Sequence, residues 1–187
     1  MSEIMTVLGS IPPGAVGFTT MHDHILINGQ CVVKEDNFDQ MVIDHFDGKL
    51  PHDPETITLE NLNFIRRGGF AVSDFCWDLD DVELMKAEVR GFKEAGGSTI
   101  LEVSTVGLRT DVEGLREIAQ DTGVNIVACT GFYDEVAWPD SVFDMSIEDM
   151  VAHIVSDANT GFEGTDIRAG GIKTGANSFT DNAVKNL

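Results

Sequence analysis

Residues 99–130 read TILEVSTVGLRTDVEGLREIAQDTGVNIVACT and contain one complete strand–helix–strand unit. TILEVST (99–105) is a short β-branched run of strand length. Thr110-Asp111-Val112-Glu113 follows with capping-box spacing, in which a hydroxyl and a carboxylate satisfy the first free N–H groups of a helix. Leu115, Ile118 and Ala119 share one face of that helix, and Gly123 stops it. VNIVACT (124–130) is the next strand. Apolar strands joined through a helix of this length form a right-handed crossover and therefore a parallel sheet.

The alternation continues on both sides. Upstream, Asp80 and Asp81 precede Val82, Met85, Val89 and Phe92 at helical spacing, and Gly96-Gly97 ends the run. Downstream, Ser146-Ile147-Glu148-Asp149 repeats the cap-and-acid spacing ahead of Met150, Val151, Ile154 and Val155, with the helix fading near Asn159. AGGIKT (169–174) predicts a further strand, and Phe179-Thr180-Asp181 the start of a last helix. AVGFTTMHDHILI (15–27) alternates and is rich in Thr, Ile and Phe, which predicts the first strand. Residues 28–79 read as a long excursion with a helical piece around Pro54–Arg67. Excursions of that size often form functional walls or lids.

The 187 residues are enough for one domain with a real core, and 42% of them are hydrophobic. Twelve Lys and Arg stand against 32 Asp and Glu, a formal charge of −20. That balance argues against nucleic acid or an anionic membrane as partner, since no basic cluster extends beyond Arg66-Arg67. No apolar run is long enough to span a bilayer, and the N-terminus lacks the basic-then-apolar pattern of a secretory signal. Cys31, Cys76 and Cys129 are sparse and without CxxC spacing, so they read as reduced thiols and a cytoplasmic location is expected.

Two features carry candidate chemistry. Alternation along a strand sends His22 and His24 of Met21-His22-Asp23-His24 to the same side, where two imidazoles can meet one cation and leave coordination positions open. The same pair also reads as two polar residues hydrogen-bonded at a strand end. Lys173 lies at the end of a glycine-containing strand of a parallel sheet, whose interior positions are usually apolar. Taken alone, its ammonium is expected to reach solvent. His45, His52 and His153 read as ordinary polar residues, with His153 exposed on a helix. Asp78, Asp80 and Asp81 lack the spacing of a calcium loop and read as caps and solvated carboxylates.

The pair and the lysine together reach a family. TVLGSIPPGAVGFTTMHDHILI, ENLNFIRR, FKEAGGSTILEVSTVGLRTD, VNIVACTGFYDE and GTDIRAGGIKTGANS occur in family order. The chain resembles the phosphotriesterase-like branch of the amidohydrolase superfamily along nearly its whole length. The resemblance implies an α/β fold, a (β/α)8 TIM barrel, of which this chain supplies about the first four β/α units. It implies that His22 and His24 are ligands of the more buried of two divalent metal ions, with zinc expected. It also implies that Lys173, carrying a carbon dioxide-derived carbamate, bridges the two metals. Tyr133 and Trp138 would line the mouth of the substrate pocket, or serve as packing residues. Arg109 is displaced by one from the family's Gly-Arg-Asp and receives no role; Arg168 is a candidate for a structural ion pair.

The function so implied is hydrolysis of a phosphotriester, lactone or related ester by a hydroxide bridging two metals. A whole barrel takes about 250 residues, and the family's remaining ligands follow its fifth, sixth and eighth strands. Residues 1–187 are therefore expected to be the N-terminal half of a single hydrolase barrel domain, a truncated form of the enzyme. The alternatives are a non-catalytic half-barrel acting as an assembly or regulatory partner, or one half of a split enzyme. Expected partners are a small-molecule ester or lactone substrate and a homodimer mate or complementing barrel half.

Overall fold

The computed structural model describes residues 2–29, 37–53, 56–73, 77–109, 111–176 and 180–187. Strands β1 (Ile4–Thr6) and β2 (Gly9–Ile11) form an antiparallel hairpin, followed by β3 (Thr19–Asp23) and β4 (Ile27–Asn28). Helices α1 (Phe38–His45) and α2 (Leu62–Arg66) come next, then β5 (Asp78–Leu79). From there strands and helices alternate: α3 (Val82–Glu94), β6 (Thr99–Glu102), α4 (Val112–Thr122) and β7 (Asn125–Thr130). Helices α5 (Asp140–Phe143) and α6 (Ile147–Asn159), strand β8 (Gly171–Ile172) and helix α7 (Asp181–Asn186) complete the order.

Strands β3, β6, β7 and β8 lie side by side in that order, every pair parallel. A sheet whose strands are added in sequence order curls in one direction with its helices outside, which is the first half of a (β/α)8 barrel. The fold class expected from the sequence is the one observed. Among the described residues no helix is long and apolar enough to cross a membrane.

Local signals account for most of the helix starts. The Asp81 carboxylate accepts from the Leu84 N–H, and Ser146 with Asp149 makes a reciprocal capping box at α6. Thr180 caps α7. At α4 the cap is Asp111, accepting from the Gly114 N–H at 2.9 Å, one residue later than the Thr110 spacing predicts. Thr110 itself lies outside the described residues. Leu115 and Ile118 of α4 are fully buried against Ile100, Val124, Ile126 and Ala128. Each such burial contributes about 1.5–3 kcal/mol.

The N-terminal hairpin has no strong sequence signal and owes its place to the sheet. Val7 N–H donates to the Ile126 carbonyl at 2.9 Å, and a Cβ on Gly170 would stand 2.1 Å from the Met5 carbonyl oxygen. It covers the N-terminal end of the strands and leaves the C-terminal ends clear.

The predicted first strand is shorter than its alternating pattern, because β3 ends at Asp23 with a register irregularity against β6 between Thr20 and Asp23. The excursion also differs from its reading. Asn61 Nδ2 donates to the carbonyls of Asp53 and Thr56 and its Oδ1 accepts from Thr58 N–H, so residues 56–61 are held as a loop and the helix is confined to α2. Pro54 lies outside the described residues. Val42 of α1 packs with Ala71, Phe46, Phe70 and Trp77, and the antiparallel pair β4–β5 closes the neck beneath this cluster.

Two glycines separate backbone conformation from close contact. Gly123 ends α4 at φ 65° with open space around a would-be Cβ, while at Gly131 (φ 122°) that Cβ would lie 2.1 Å from the Lys173 carbonyl oxygen. Gly123→Ala should cost about 1–2 kcal/mol, the ordinary left-handed penalty. Gly131→Ala should cost clearly more. Urea denaturation of both variants measures the difference, and equal losses would contradict the close approach of β8 to β7.

Candidate functional site

Parallel pairing puts His22, His24 and Lys173 at the C-terminal end of the sheet, on its first and last strands. His22 is exposed on β3, and His24 follows it half-buried; their rings meet edge-on with centroids 5.6 Å apart. Across the sheet, Lys173 follows β8 and donates its backbone N–H to the Thr130 carbonyl at 2.9 Å. Gly131 permits that approach, and Lys173 Nζ sits 4.2 Å from the centroid of the Tyr133 ring. Burial, with the neighbouring charges of Lys173 and His22, holds the His24 imidazole below its ordinary pKa. Burial also pulls Lys173 down, against the opposing influence of Cys129 and Glu102.

This donor set suits a divalent cation in part. Two imidazoles one strand-step apart, the inner one biased toward its neutral form, are suitable nitrogen ligands, and a lysine contributes once its amine is neutral. Among the described residues no three His, Cys, Asp or Glu side chains converge on one metal position. The residues present therefore make an incomplete set.

Beneath the histidines lies a buried polar cluster that the sequence reading missed. Glu102, at the end of β6, is completely buried, and its Oε1 accepts from the Ser104 N–H at 3.1 Å. Arg109 Nε stands 3.9 Å from Glu102 Oε2, and the same guanidinium donates to the carbonyls of Ser104 and Cys129. It stacks over Phe162 at 4.3 Å. Burial pushes the Glu102 carboxyl up, and Arg109 and the Ser104 hydrogen bonds pull it partly back. Ser104 Oγ in turn lies 2.9 Å from His24 Nδ1. A signal for this cluster exists: an acid inside a buried parallel strand is as anomalous as the lysine at Lys173. Arg109, displaced in the sequence, is displaced into the interior.

Tyr133 is half-buried beside Lys173, whereas Trp138 is 6% exposed and packs with Phe132, Val142 and Met150. The Trp138 indole donates to the Tyr133 carbonyl at 2.7 Å, so it bears on the site by holding that loop. Asn186 of α7 also clamps the loop, its amide donating to the carbonyls of Phe132, Tyr133 and Gly175 at 3.1, 3.0 and 2.7 Å. His153 is not a plain exposed residue: its ring lies 5.4 Å from Phe132 and its Nε2 3.4 Å from the buried Asp157 carboxylate. Arg168 rests on Met5 Sδ at 3.6 Å, and the ion pair at that corner is Arg116 with Asp166. Cys129 is a free, buried thiol; Cys31 and Cys76 lie outside the described residues.

A family model described as Phosphotriesterase family matches residues 2–186. The N-acetyltaurine hydrolase of Xenopus tropicalis is 29% identical over 168 residues, covering 90% of this chain and 46% of that protein. The phosphotriesterase-related protein of Nematostella vectensis is 32% identical over 169 residues, covering 89% and 46%. A resiniferatoxin-binding protein from Rhodobacter sphaeroides superposes with a TM-score of 0.84 at 31% identity, over 98% of this chain and 49% of that one. A lactonase from Listeria monocytogenes shares the fold, with a TM-score of 0.69 at 22% identity over 99% of this chain and 51% of the other. The chain thus spans about half the length of the curated relatives it matches.

The Glu102–Arg109 pair makes a stability prediction with a definite pH sign. Arg109→Met strands a buried carboxylate and should cost about 3–5 kcal/mol at neutral pH. A carboxyl whose folded pKa lies above its unfolded value loses stability as pH rises through the folded pKa and regains it as pH falls. The deficit of Arg109→Met in urea should therefore be smaller at about pH 5 than at about pH 7. Equal deficits would show that Glu102 does not depend on Arg109 for its charge.

Proposed function

The chain belongs to the phosphotriesterase family, and on that premise we propose that residues 1–187 form the N-terminal half of a single metal-dependent hydrolase barrel. What supports this reading is the position of His22, His24 and Lys173 at the C-terminal ends of β3 and β8, near enough for the Lys173 charge to bear on the His24 imidazole, at the end of a parallel sheet where barrel active sites are built. The remaining ligands would come from the second half of the barrel, carried by the same polypeptide or by a partner.

His22 and His24 would hold one divalent cation through neutral ring nitrogens. Lys173 would lie between that position and a second one. Two dications so close repel, and an anion between them lowers that cost. A lysine becomes such an anion when its neutral amine adds carbon dioxide: an N–C bond forms, a carboxylate appears and a proton leaves to solvent. Burial favours this by making the amine easier to deprotonate. The cations, zinc first among them, supply Lewis-acid polarisation of the scissile group and an activated water at neutral pH. Tyr133, held by Trp138 and Asn186, walls the lysine and limits solvent on that side.

The substrate is a small molecule with a hydrolysable acyl or phosphoryl centre. Phosphotriesters, lactones and related esters fit this chemistry, and the relatives named N-acetyltaurine hydrolases extend it to an amide of a small acid.

Calorimetric titration of the chain with zinc tests the first half of this reading. One zinc site is expected, and His22→Ala with His24→Ala should abolish its heat. Zinc binding that survives the double replacement would overturn the assignment. With the second barrel half supplied, Lys173→Ala should lower metal-dependent hydrolysis at least about 100-fold. Activity that persists in that variant and after chelation would sink the lysine's role.

A further inference from the structure

We propose that Asn186 is a positioning residue: its side-chain amide, carried by α7, locks the segment after β7 to the segment after β8 and so holds the Tyr133 ring over Lys173. Its bearing on hydrolysis rests on the reading of Lys173 given above; the hold on the Tyr133–Lys173 pair does not.

The direction of these hydrogen bonds is fixed by what surrounds the amide. Asn186 Nδ2 lies 3.1 Å from the Phe132 carbonyl oxygen, 3.0 Å from that of Tyr133 and 2.7 Å from that of Gly175. Carbonyl oxygens only accept, so the nitrogen must face them, and its two hydrogens serve three acceptors. Turning the amide over would set Oδ1 against the same three oxygens. Asn186 is 8% exposed, and among the described residues its Oδ1 has no hydrogen-bond partner. A buried acceptor left unmet is unfavourable, so the three bonds to the nitrogen are what set the orientation.

The three carbonyls belong to the two segments that carry the pair. Lys173 N–H donates to the Thr130 carbonyl at 2.9 Å and Gly175 N–H to the Phe132 carbonyl at 3.1 Å, which lays the segment after β8 along the one after β7. The approach is close, because a Cβ on Gly175 would stand 2.9 Å from the Asp134 nitrogen. The Trp138 indole donates to the Tyr133 carbonyl at 2.7 Å and so holds the first segment alone. Asn186 bonds to both. Its grip on Phe132, Tyr133 and Gly175 fixes the backbone on which the Tyr133 ring stands, with Lys173 Nζ 4.2 Å from the ring centroid. Helix α7 brings the amide there, capped by Thr180 Oγ1, which accepts from Ala183 N–H at 3.1 Å, and anchored by the buried Ala183. The wall beside the lysine is thus complete only with α7 in place.

Tyr133 is the only tyrosine in the chain, and its ring current makes the arrangement readable by proton–carbon spectra. The Lys173 ε-methylene protons should be shifted upfield in the wild-type chain, and Tyr133→Leu should remove that shift. Asn186→Asp keeps the size of the side chain but turns the donor into an acceptor, and it should lose the shift. Asn186→Ala gives the same readout if the carboxylate variant does not fold. Gly123→Ala, a destabilised control at the far end of α4, should keep it. A shift that persists without the Asn186 amide, or that Gly123→Ala loses as well, would overturn the proposal. With the second barrel half supplied, kcat of metal-dependent hydrolysis should fall about 10–100-fold in the Asn186 variants. A shift lost with Asn186 in a protein whose hydrolysis is indifferent to Lys173→Ala would instead count against the metal reading and leave the positioning role intact.

Discussion

Parallel strands cannot be joined by tight turns. Each must be reached by a crossover that returns to the same starting level, so all the strand ends point one way. In this chain that constraint puts the ends of β3, β6, β7 and β8 on one rim, although the residues concerned are spread from Asp23 to Lys173. The apolar core lies behind the rim and the N-terminal hairpin covers the opposite end, with Val7 bound to Ile126 and Met5 against Gly170. The covering hairpin and the candidate site are thereby placed at different ends of the same strands.

What the sequence made legible follows from how local each signal is. Asp81, Ser146 and Thr180 cap their helices through groups three residues away, and such spacings survive whatever the tertiary context. His22 and His24 are two residues apart, and their proximity needs only a strand. The α1 region and the Asn61 loop were not legible, because the first is held by Phe70 and Trp77 and the second by side-chain bonds to scattered carbonyls. The hairpin β1–β2 was missed for the same reason: it is only three residues a side, too short for periodicity to rise above chance.

Glu102 and Arg109 make the most instructive contrast. The reasoning that singled out Lys173, a charge where a parallel strand should be apolar, applies equally to Glu102 in TILEVST. Read alone, an acid at a strand end passes for a solvated carboxylate. Its partner lies seven positions on, past Gly107 at φ 104°, and only the turn of that loop sends the guanidinium inward. The burial of this pair also qualifies the charge of −20: the carboxylate at the centre of the sheet has its own counter-ion, and the excess acid belongs to the surface.

The order of the strands has a further consequence, for the way the molecule is made. Each strand of this sheet pairs with the sheet strand before it, so after the β3–β6 pairing each further β/α unit finds its docking edge in place. Once β3 and β6 have paired across the long excursion between them, β7 and β8 each add to an edge already formed. The outer edge of β8 is then a seed, with Ile172 still two-thirds exposed on it at 67%. A strand laid against it would have Lys173 at its end, beside the candidate site.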